Sequence, residues 1–332
     1  MMNGDYGDPE EGERIGAFRK DEEEELFLNA LNNHLILFEK EIVKVAEAPE
    51  YPVTFIVGVP RCGSTLLMQL AVSTYELGYP SNLMARFFKA PAVGAWLQRL
   101  IIRQRDGKRV GYESTFGVTS SPEEPHEFGY FWTSFFKPEL THWFEPEVLK
   151  KVDKKNLLKE LAAIESILKH PLIFKSVNLD FLIEYLLNGL PLAFFIYLNR
   201  DPYFLAESIY LARIARYGDP KTWWSLRPKH YVLLKTLDHY HQVAGQVWAV
   251  KAELERQLKK VPEDQKIVYA YRDLCQDPGK VLEAYAGKMK ALGSSLKRLS
   301  DPPLRLECRD KVKLGAQESR KLRTALEEME DF

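Results

Sequence analysis

Residues 53–67 read VTFIVGVPRCGSTLL, and this stretch decides the fold. Its first five residues are β-branched or aromatic, a composition that favours a buried strand. A short segment with two glycines follows, and a helix-favouring run begins at Leu66. A strand, a glycine loop and a helix in this order open a β-α-β unit.

The loop itself, Gly58-x-x-x-x-Gly63-Ser64-Thr65, has the glycine spacing of a P-loop. Glycines allow a tight turn in which N–H groups converge on an anion, and the helix that follows adds its positive dipole end. Ser64 stands where nucleoside triphosphatases have a lysine, so the β and γ phosphates of ATP would lose their usual cation. The loop therefore predicts an anion site with Arg61 as its cation, and a purely structural strand-to-helix turn is the alternative.

Three further apolar runs have the character of strands: residues 172–174, 192–198 and 267–269. Apolar runs separated by helices are typical of a parallel sheet covered on both faces. We predict an α/β fold, a P-loop-type parallel sheet flanked by helices, in a single domain over residues 21–332. Residues from about 80 to 170 form a helical insertion on the acceptor side, and residues 1–20 form a flexible acidic tail.

Composition excludes several classes of protein. The chain has 332 residues, 46 Lys and Arg against 47 Asp and Glu, a net charge of −1 and 45% apolar residues. This is too apolar for a disordered chain and lacks the basic excess of a non-specific nucleic-acid binder. Three widely spaced cysteines fit a reducing compartment, and no apolar run is long enough to span a membrane. We expect a cytoplasmic protein without a nucleic-acid or membrane partner.

The stretch from Val57 to Leu67 resembles the 5′-phosphosulfate loop of sulfotransferases that use 3′-phosphoadenosine 5′-phosphosulfate (PAPS). It is most similar to the P-R-x-G-[ST]-[ST] version in bacterial and tyrosylprotein sulfotransferases, whereas many cytosolic members have a lysine where Arg61 stands. The resemblance implies that the donor is bound by Arg61, Cys62, Gly63, Ser64, Thr65 and Leu66.

A second motif lies further along the chain. Arg200-Asp201-Pro202 follows the apolar run 192–198, and Ser208 comes eight residues after the arginine. The planar guanidinium of arginine suits a phosphate. The residue types, spacing and order resemble the 3′-phosphate motif of the same family, which implies that Arg200 and Ser208 hold the 3′-phosphate of PAPS. The alternative is a surface Arg-Asp pair at the start of a helix.

A third match, YRDLCQDP at residues 271–278, resembles the family's Y-E-D-L-x-x-D-P segment. The resemblance implies that Tyr271 lies near the adenine, although it can equally be a core aromatic residue. Arg272 departs from the usual glutamate. The family's C-terminal R-K-G donor clamp is not clearly present. The candidates for a basic loop over the donor, or for a merely solvated helix face, are Lys311, Lys313, Arg320 and Lys321.

Sulfonyl transfer to a hydroxyl needs a base, and residues 121–132 (SPEEPHEFGYFW) offer the best candidates. The segment is similar to an S-P-E-E-x-x-E-F region of bacterial sulfotransferases. His126 ranks first because an unperturbed imidazole pKa near 6.5 suits a base at neutral pH. Glu124 and Glu127 follow, with Glu123 as a helix-capping carboxylate. The alternative is an acidic helix N-terminus that complements the helix dipole.

Two further features bear on the reaction. Lys175 follows the run 172–174 where some family members have a lysine that reaches the transferred sulfonate, and the alternative is a merely solvated lysine at the end of a strand. The pair Trp223-Trp224 lies in a segment flanked by glycine and proline, so it is either core or a mobile lid over the acceptor.

Together the motifs predict a PAPS-dependent sulfotransferase. The sulfonate of PAPS moves by in-line transfer to a hydroxyl or amine of a small-molecule or carrier-bound acceptor, leaving adenosine 3′,5′-bisphosphate, with a general base and no metal. The alternatives are a P-loop kinase-like nucleotide enzyme and a non-catalytic phosphonucleotide-binding protein.

Overall fold

The structure is a computed structural model that describes residues 13–102 and 110–331. Within these ranges, strands β1 Val53–Val57, β2 Ile173–Lys175, β3 Ala193–Asn199 and β4 Lys266–Ala270 form one parallel sheet in the order β2-β1-β3-β4. Strands β1 and β4 contain a predicted apolar run in full, and β2 and β3 each contain a predicted run without the first residue of that run. The α/β fold class is therefore confirmed.

The helices that surround the sheet in the described ranges are α1 Glu22–Val43, α2 Ser64–Thr74, α3 Asn82–Ala85, α4 Pro91–Ile102, α5 Gly129–Phe135, α6 Pro146–Leu149, α7 Lys154–Leu168, α8 Ile183–Gly189, α9 Pro202–Tyr217, α10 Tyr231–Lys235, α11 His239–Leu258, α12 Tyr271–Gln276, α13 Pro278–Ala291 and α14 Ala316–Glu328. Short 3₁₀ helices lie at Gly16–Phe18 and Val177–Leu179. None of the helices in the described ranges is both long and apolar enough to cross a membrane.

The core lies on both faces of β1, whose five residues are all buried. On one face the Phe55 ring stacks on Phe174 of β2 and Phe195 of β3, with centroids 6.0 Å and 5.7 Å away. On the other face the Thr54 and Tyr285 hydroxyls are hydrogen-bonded at 2.9 Å. Successive side chains of a strand point to opposite faces, so the continuous apolar run reflects a strand covered on both sides.

Two Asp-Pro pairs fix where the helices after β3 and β4 begin. Asp201 accepts a hydrogen bond from the Tyr203 amide at 2.9 Å, and Asp277 accepts one from the Lys280 amide at 2.9 Å. The proline of each pair occupies the first position of α9 or α13, where its missing N–H costs nothing. Arg200 is thereby held between the end of β3 and the cap of α9.

The N-terminal segment differs from the predicted tail in its described part. Residues 1–12 lie outside the described residues. Further along, the Ile15 amide donates to the Arg216 carbonyl at 2.8 Å, and the Arg216 guanidinium lies 4.4 Å from the Phe18 ring centroid. Ile15 and Phe18 therefore contact α9 through a backbone hydrogen bond and a cation–π contact, both made with Arg216. Helices α3 to α7 lie between residues 82 and 168.

Candidate active site

The candidate site is a cavity of about 940 Å³ at the carboxyl edge of the sheet, where loops after β1, β2, β3 and β4 converge. Ligands of open parallel sheets commonly bind at this edge. The predicted residues that line the cavity are Arg61, Gly63, Ser64, Thr65, Leu66, His126, Glu127, Lys175, Arg200, Ser208 and Tyr271. The structure does not bring Cys62 or Glu124 to the lining.

The glycine loop takes the sharp turn that its spacing predicts. Arg61 and Gly63 have φ angles of 79° and 101°, in the left-handed region that strongly favours glycine. A Cβ atom on Gly63 would lie 2.7 Å from Cδ2 of Tyr271, so the ring packs against bare backbone. The left-handed backbone of Arg61 is strained, and such strain persists where the surrounding structure fixes a functional conformation.

Cys62 has a structural position in this loop. Its side chain is buried, and its amide donates to the Val59 carbonyl at 3.0 Å. Burial raises the pKa of the Cys62 thiol, with the charge of Asp180 as a second cause. The residues that face the cavity are instead Ser64, Thr65 and Leu66, in the first turn of α2. Their amides have no acceptor within the helix, because no helical carbonyl lies one turn before them.

Arg61, Arg200 and Ser208 form a connected group on one wall. Arg61 Nε donates to Ser208 Oγ at 3.0 Å, and Arg200 NH1 donates to the Arg61 carbonyl at 2.7 Å. Burial lowers the pKa of Arg61 to about 10, and the positive charge of Arg200 acts in the same direction. Cations held this close repel one another, so this wall favours an anion.

Tyr271 contacts both the glycine loop and Arg200. One edge of its ring meets Gly63, and the Arg200 guanidinium lies 4.5 Å from the ring centroid. Its hydroxyl accepts a hydrogen bond from the Arg309 amide at 3.4 Å, and burial raises its pKa to about 12. Tyr271 therefore lines the cavity while it braces the glycine loop and Arg200.

The C-terminal cations divide into two groups. Lys313 lines the cavity, as does Arg309, which the sequence analysis missed. Lys311 instead forms an exposed ion pair with Glu307 at 2.7 Å. Arg320 and Lys321 lie on α14 and line a separate surface depression beside His241. No periodicity or motif singles out Arg309, because it lies in irregular backbone.

Lys175 and Glu127 form an ion pair inside the cavity. Lys175 is buried, whereas the Glu127 side chain is 37% exposed. Burial lowers the pKa of Lys175 to about 8, and the nearby charge of Arg61 acts in the same direction. The predicted lysine thus lies between the cationic loop and a candidate base.

His126 lines the cavity with a ring that is exposed to its interior, although protein surrounds it. Its Nδ1 accepts a hydrogen bond from the Phe128 amide at 2.9 Å. The neutral ring therefore carries its proton on Nε2. Partial loss of solvent lowers the pKa of His126 to about 4, with Lys175 and Arg86 as further causes. In this arrangement His126 is a hydrogen-bond donor rather than an acceptor at Nε2.

The acidic segment before α5 is not a helix N-terminus. Helix α5 begins at Gly129, after Phe128 in the left-handed region, so Glu123 is not the N-cap of this helix. The reason is pairing with another segment: the Asn82 amide donates to the Glu124 carbonyl and the His126 amide to the Pro80 carbonyl, both at 2.9 Å. The Glu124 side chain is buried and accepts hydrogen bonds at 3.0 Å and 3.1 Å from the amides of residues 120 and 121. It closes a turn.

The two adjacent tryptophans have different environments. Trp223 is fully buried, and its Nε1 donates to the Leu226 carbonyl at 3.2 Å. Trp224 lines the cavity, with the Arg216 guanidinium 4.9 Å from its ring centroid. Trp223 is therefore a core residue that anchors the pair, and Trp224 contributes to the cavity wall.

In the part of the chain that the structure describes, no group of three or more His, Cys, Asp or Glu side chains is arranged to hold a metal ion. The cavity joins a glycine loop and a helix N-terminus to a cationic wall and a lysine-glutamate pair. This arrangement can bind a multiply charged anion and place it beside a basic carboxylate.

Comparison with known proteins adds a family and a fold. The sequence profile of the sulfotransferase family matches residues 52–285. Sulfotransferase STF9 from Mycobacterium avium has a TM-score of 0.52 at 14% identity, over 90% of this chain and 72% of that chain. Sulfotransferase STF1 from Mycobacterium tuberculosis H37Rv has a TM-score of 0.48 at 14% identity, over 92% and 80%. No curated protein sequence matches closely enough to count as a relative.

Proposed function

This chain belongs to the sulfotransferase family, and on that premise we propose that it transfers the sulfonate of PAPS to a hydroxyl or amine of a small-molecule or carrier-bound acceptor. The observation that carries the proposal is the wall formed by Arg61, Arg200 and Ser208 beside the glycine loop. All three cysteines are free, which suits a reducing compartment, and we place the enzyme in the cytoplasm.

The residues present fit a donor that carries charge at two ends. The loop lacks the P-loop lysine, so its cations come from Arg61 and Lys175 instead. Gly117 has no side chain to fill the space beside Arg61 and Thr65. A Cβ atom at this position would lie 3.3 Å from Arg61 NH1 and 3.5 Å from Thr65 Oγ1. Bare backbone beside a guanidinium and a hydroxyl makes a cradle for an oxyanion.

We assign the two ends of the donor to two parts of this cavity. The first turn of α2 and Arg61 hold the 5′-phosphosulfate, because helix amides and a guanidinium both favour negative charge. Arg200 and Ser208 hold the 3′-phosphate, with Arg309 and Lys313 as further cations on the same wall. Tyr271 keeps the loop and Arg200 in place.

When bound, PAPS supplies an activated sulfonate whose departure leaves negative charge on a phosphate. We assign the stabilisation of that charge to Lys175 and Arg61, which both line the cavity. Of the three candidate bases, we assign the proton of the acceptor to Glu127. Its carboxylate faces the cavity beside Lys175, whereas Glu124 closes a turn and the neutral His126 ring carries its proton on Nε2.

Isothermal titration calorimetry tests the donor assignment. We expect adenosine 3′,5′-bisphosphate to bind more tightly than adenosine 5′-monophosphate and more tightly than ATP with Mg²⁺. Preference for ATP with Mg²⁺ would favour the kinase-like alternative. Radiolabelled PAPS, offered with alcohols, phenols, amines, sugars and carrier-bound acceptors, then tests transfer. Tight binding without transfer to any member of a broad panel would favour a non-catalytic binding protein.

A further inference from the structure

Residues 306–314 form a segment without helix or strand, which we call the C-terminal strap. Four of its residues line the donor side of the cavity: Leu306, Glu307, Arg309 and Lys313. The strap contains no residue that the three sequence motifs identify. Its contacts with those motifs show how it is held.

Both ends of the strap are fixed by polar contacts to α9 and α12. The Leu306 amide donates to the Cys275 carbonyl at 2.8 Å. The amides of Lys313 and Leu314 both donate to Oε1 of Glu207, at 2.8 Å and 3.0 Å. Glu207 is buried on α9 directly before Ser208, so the strap is tied to the helix that carries the 3′-phosphate serine.

Between these ends, Asp310 bridges two arginines. Its Oδ1 accepts from Arg200 Nε at 2.8 Å, and its Oδ2 accepts from Arg272 Nε at 3.3 Å. The Asp310 side chain is only 4% exposed and is absent from the cavity lining, whereas Arg200 lines the cavity. Asp310 therefore contacts Arg200 from behind the cavity wall.

The Asp310 contact completes the fixation of Arg200. Arg200 NH1 donates to the Arg61 carbonyl at 2.7 Å, and NH2 donates to the Arg309 carbonyl at 3.2 Å. With Nε held by Asp310, all three guanidinium nitrogens have a protein partner. NH1 and NH2 each carry a second N–H, which is available for an anion in the cavity. A fixed guanidinium loses less rotamer entropy on binding than a free one.

We propose that Asp310 and Arg272 are positioning residues for the donor's 3′-phosphate. Asp310 fixes the plane of Arg200 and anchors the strap that brings Arg309 and Lys313 to the cavity. A lone carboxylate here would oppose a phosphate, and Arg272 offsets its charge. This also explains why position 272 carries arginine instead of the glutamate of the related motif: glutamate would place a second carboxylate against Asp310. The inference rests on the proposed function.

The test compares adenosine 3′,5′-bisphosphate with adenosine 5′-monophosphate, which lacks the 3′-phosphate, by calorimetry. In D310N we expect about tenfold weaker bisphosphate binding and less than twofold change for the monophosphate, since asparagine removes the carboxylate charge and replaces one of the two oxygens that accept from the arginines with an NH₂ donor. R272A should move the same ratio in the same direction by about threefold, because the Arg272 side chain is 61% exposed. The control variants are D301N and R305A, two exposed residues outside the cavity lining.

The ratio of the two affinities is the deciding readout, because a general loss of folding lowers both. If D310N does not fold, R272A decides, since it removes an exposed side chain. A bisphosphate-to-monophosphate affinity ratio that stays at its wild-type value in both variants would overturn the positioning role and leave the proposed function standing. A wild-type protein without that preference would overturn the proposed function itself.

Discussion

Arg61 Nε donates a hydrogen bond to Ser208 Oγ at 3.0 Å, across 147 residues of sequence. This bond joins the loop after β1 to helix α9, the two elements that carry the first two motifs. Arg200 strengthens the connection, because its NH1 donates to the Arg61 carbonyl at 2.7 Å. The two predicted phosphate sites are therefore parts of one wall, and a change at Arg200 acts on both.

Replacing Arg200 with alanine should weaken binding of adenosine 3′,5′-bisphosphate about 100-fold. The substitution removes a charge-assisted phosphate contact and also releases the Arg61 carbonyl. Isothermal titration calorimetry measures the effect. R320A is the matched control, because Arg320 lies on α14 outside the cavity lining. Equal losses in the two variants would show that the effect is only one of net charge.

Replacing Gly63 with alanine should lower the free energy of unfolding by about 1–2 kcal/mol, because φ is 101° there and an L-residue is strained in that region. The new methyl group also meets the Tyr271 ring, so affinity for the bisphosphate should fall as well. Urea denaturation and calorimetry measure the two effects.

The control for G63A is another glycine-to-alanine change. Gly287 lies within α13 without a positive φ angle, and a Cβ there meets nothing within 4 Å. G287A should raise the free energy of unfolding by about 0.5–1 kcal/mol. A destabilised G287A, or an unaffected G63A, would contradict this account of the loop.

Local sequence predicted what local physics controls. The strand at Val53–Val57 and the glycine turn that follows it each depend on neighbouring residues, and the structure shows both where the sequence predicted them. Segment 121–128 was different. Its acids and prolines suggested a helix start, but its backbone pairs with residues 80–83. Only the tertiary fold brings those residues near.

The same reason explains what was missed at the site. Arg309 and Asp310 lie in the C-terminal strap, where no periodicity or motif marks them. Their roles depend on Tyr271, Arg200 and Arg272, which the fold brings to them from other elements. A sequence signal did exist in the unexpected arginine at 272, but it has meaning only beside Asp310.

Transfer should depend on the protonation of Lys175. Burial lowers the pKa of this ammonium group to about 8, so the cation is present below that pH and is lost as the pH rises through it. We expect kcat/KM, which reports on the free enzyme, to fall above about pH 8. K175R should remove this alkaline limb, since arginine stays charged. An unchanged limb in K175R would assign it to another group.

The base assignment separates two neighbours. Replacing Glu127 with glutamine keeps the size of the side chain but removes the proton acceptor, so kcat should fall by about 10²–10⁴-fold with little change in affinity for the bisphosphate. H126Q should affect KM for the acceptor more than kcat, because His126 acts as a donor from Nε2. The reverse pattern would make His126 the base, and steady-state kinetics distinguishes the two.

A buried pair of carboxyl groups should make folding stability fall with rising pH. Glu39 on α1 accepts hydrogen bonds from the Ala92 and Val93 amides at 2.7 Å and 3.1 Å, and it faces Glu160 on α7. Burial, and next the charge of Glu39, raises the pKa of Glu160 from 4.5 to about 9. The folded pair therefore keeps a proton that the unfolded chain releases above about pH 4.5.

A raised carboxyl pKa gives stability that is present at low pH and is lost as the pH rises toward the folded value. The thermal stability of E160Q relative to wild type should therefore be greater at pH 8 than at pH 5. Glutamine remains neutral and can still hydrogen-bond to Glu39. Thermal melting at both pH values measures the difference, and E147Q, at an exposed ion pair on α6, is the control. If the difference in thermal stability between E160Q and wild type is the same at both pH values, the pair does not share a proton. The substitution would then act through packing.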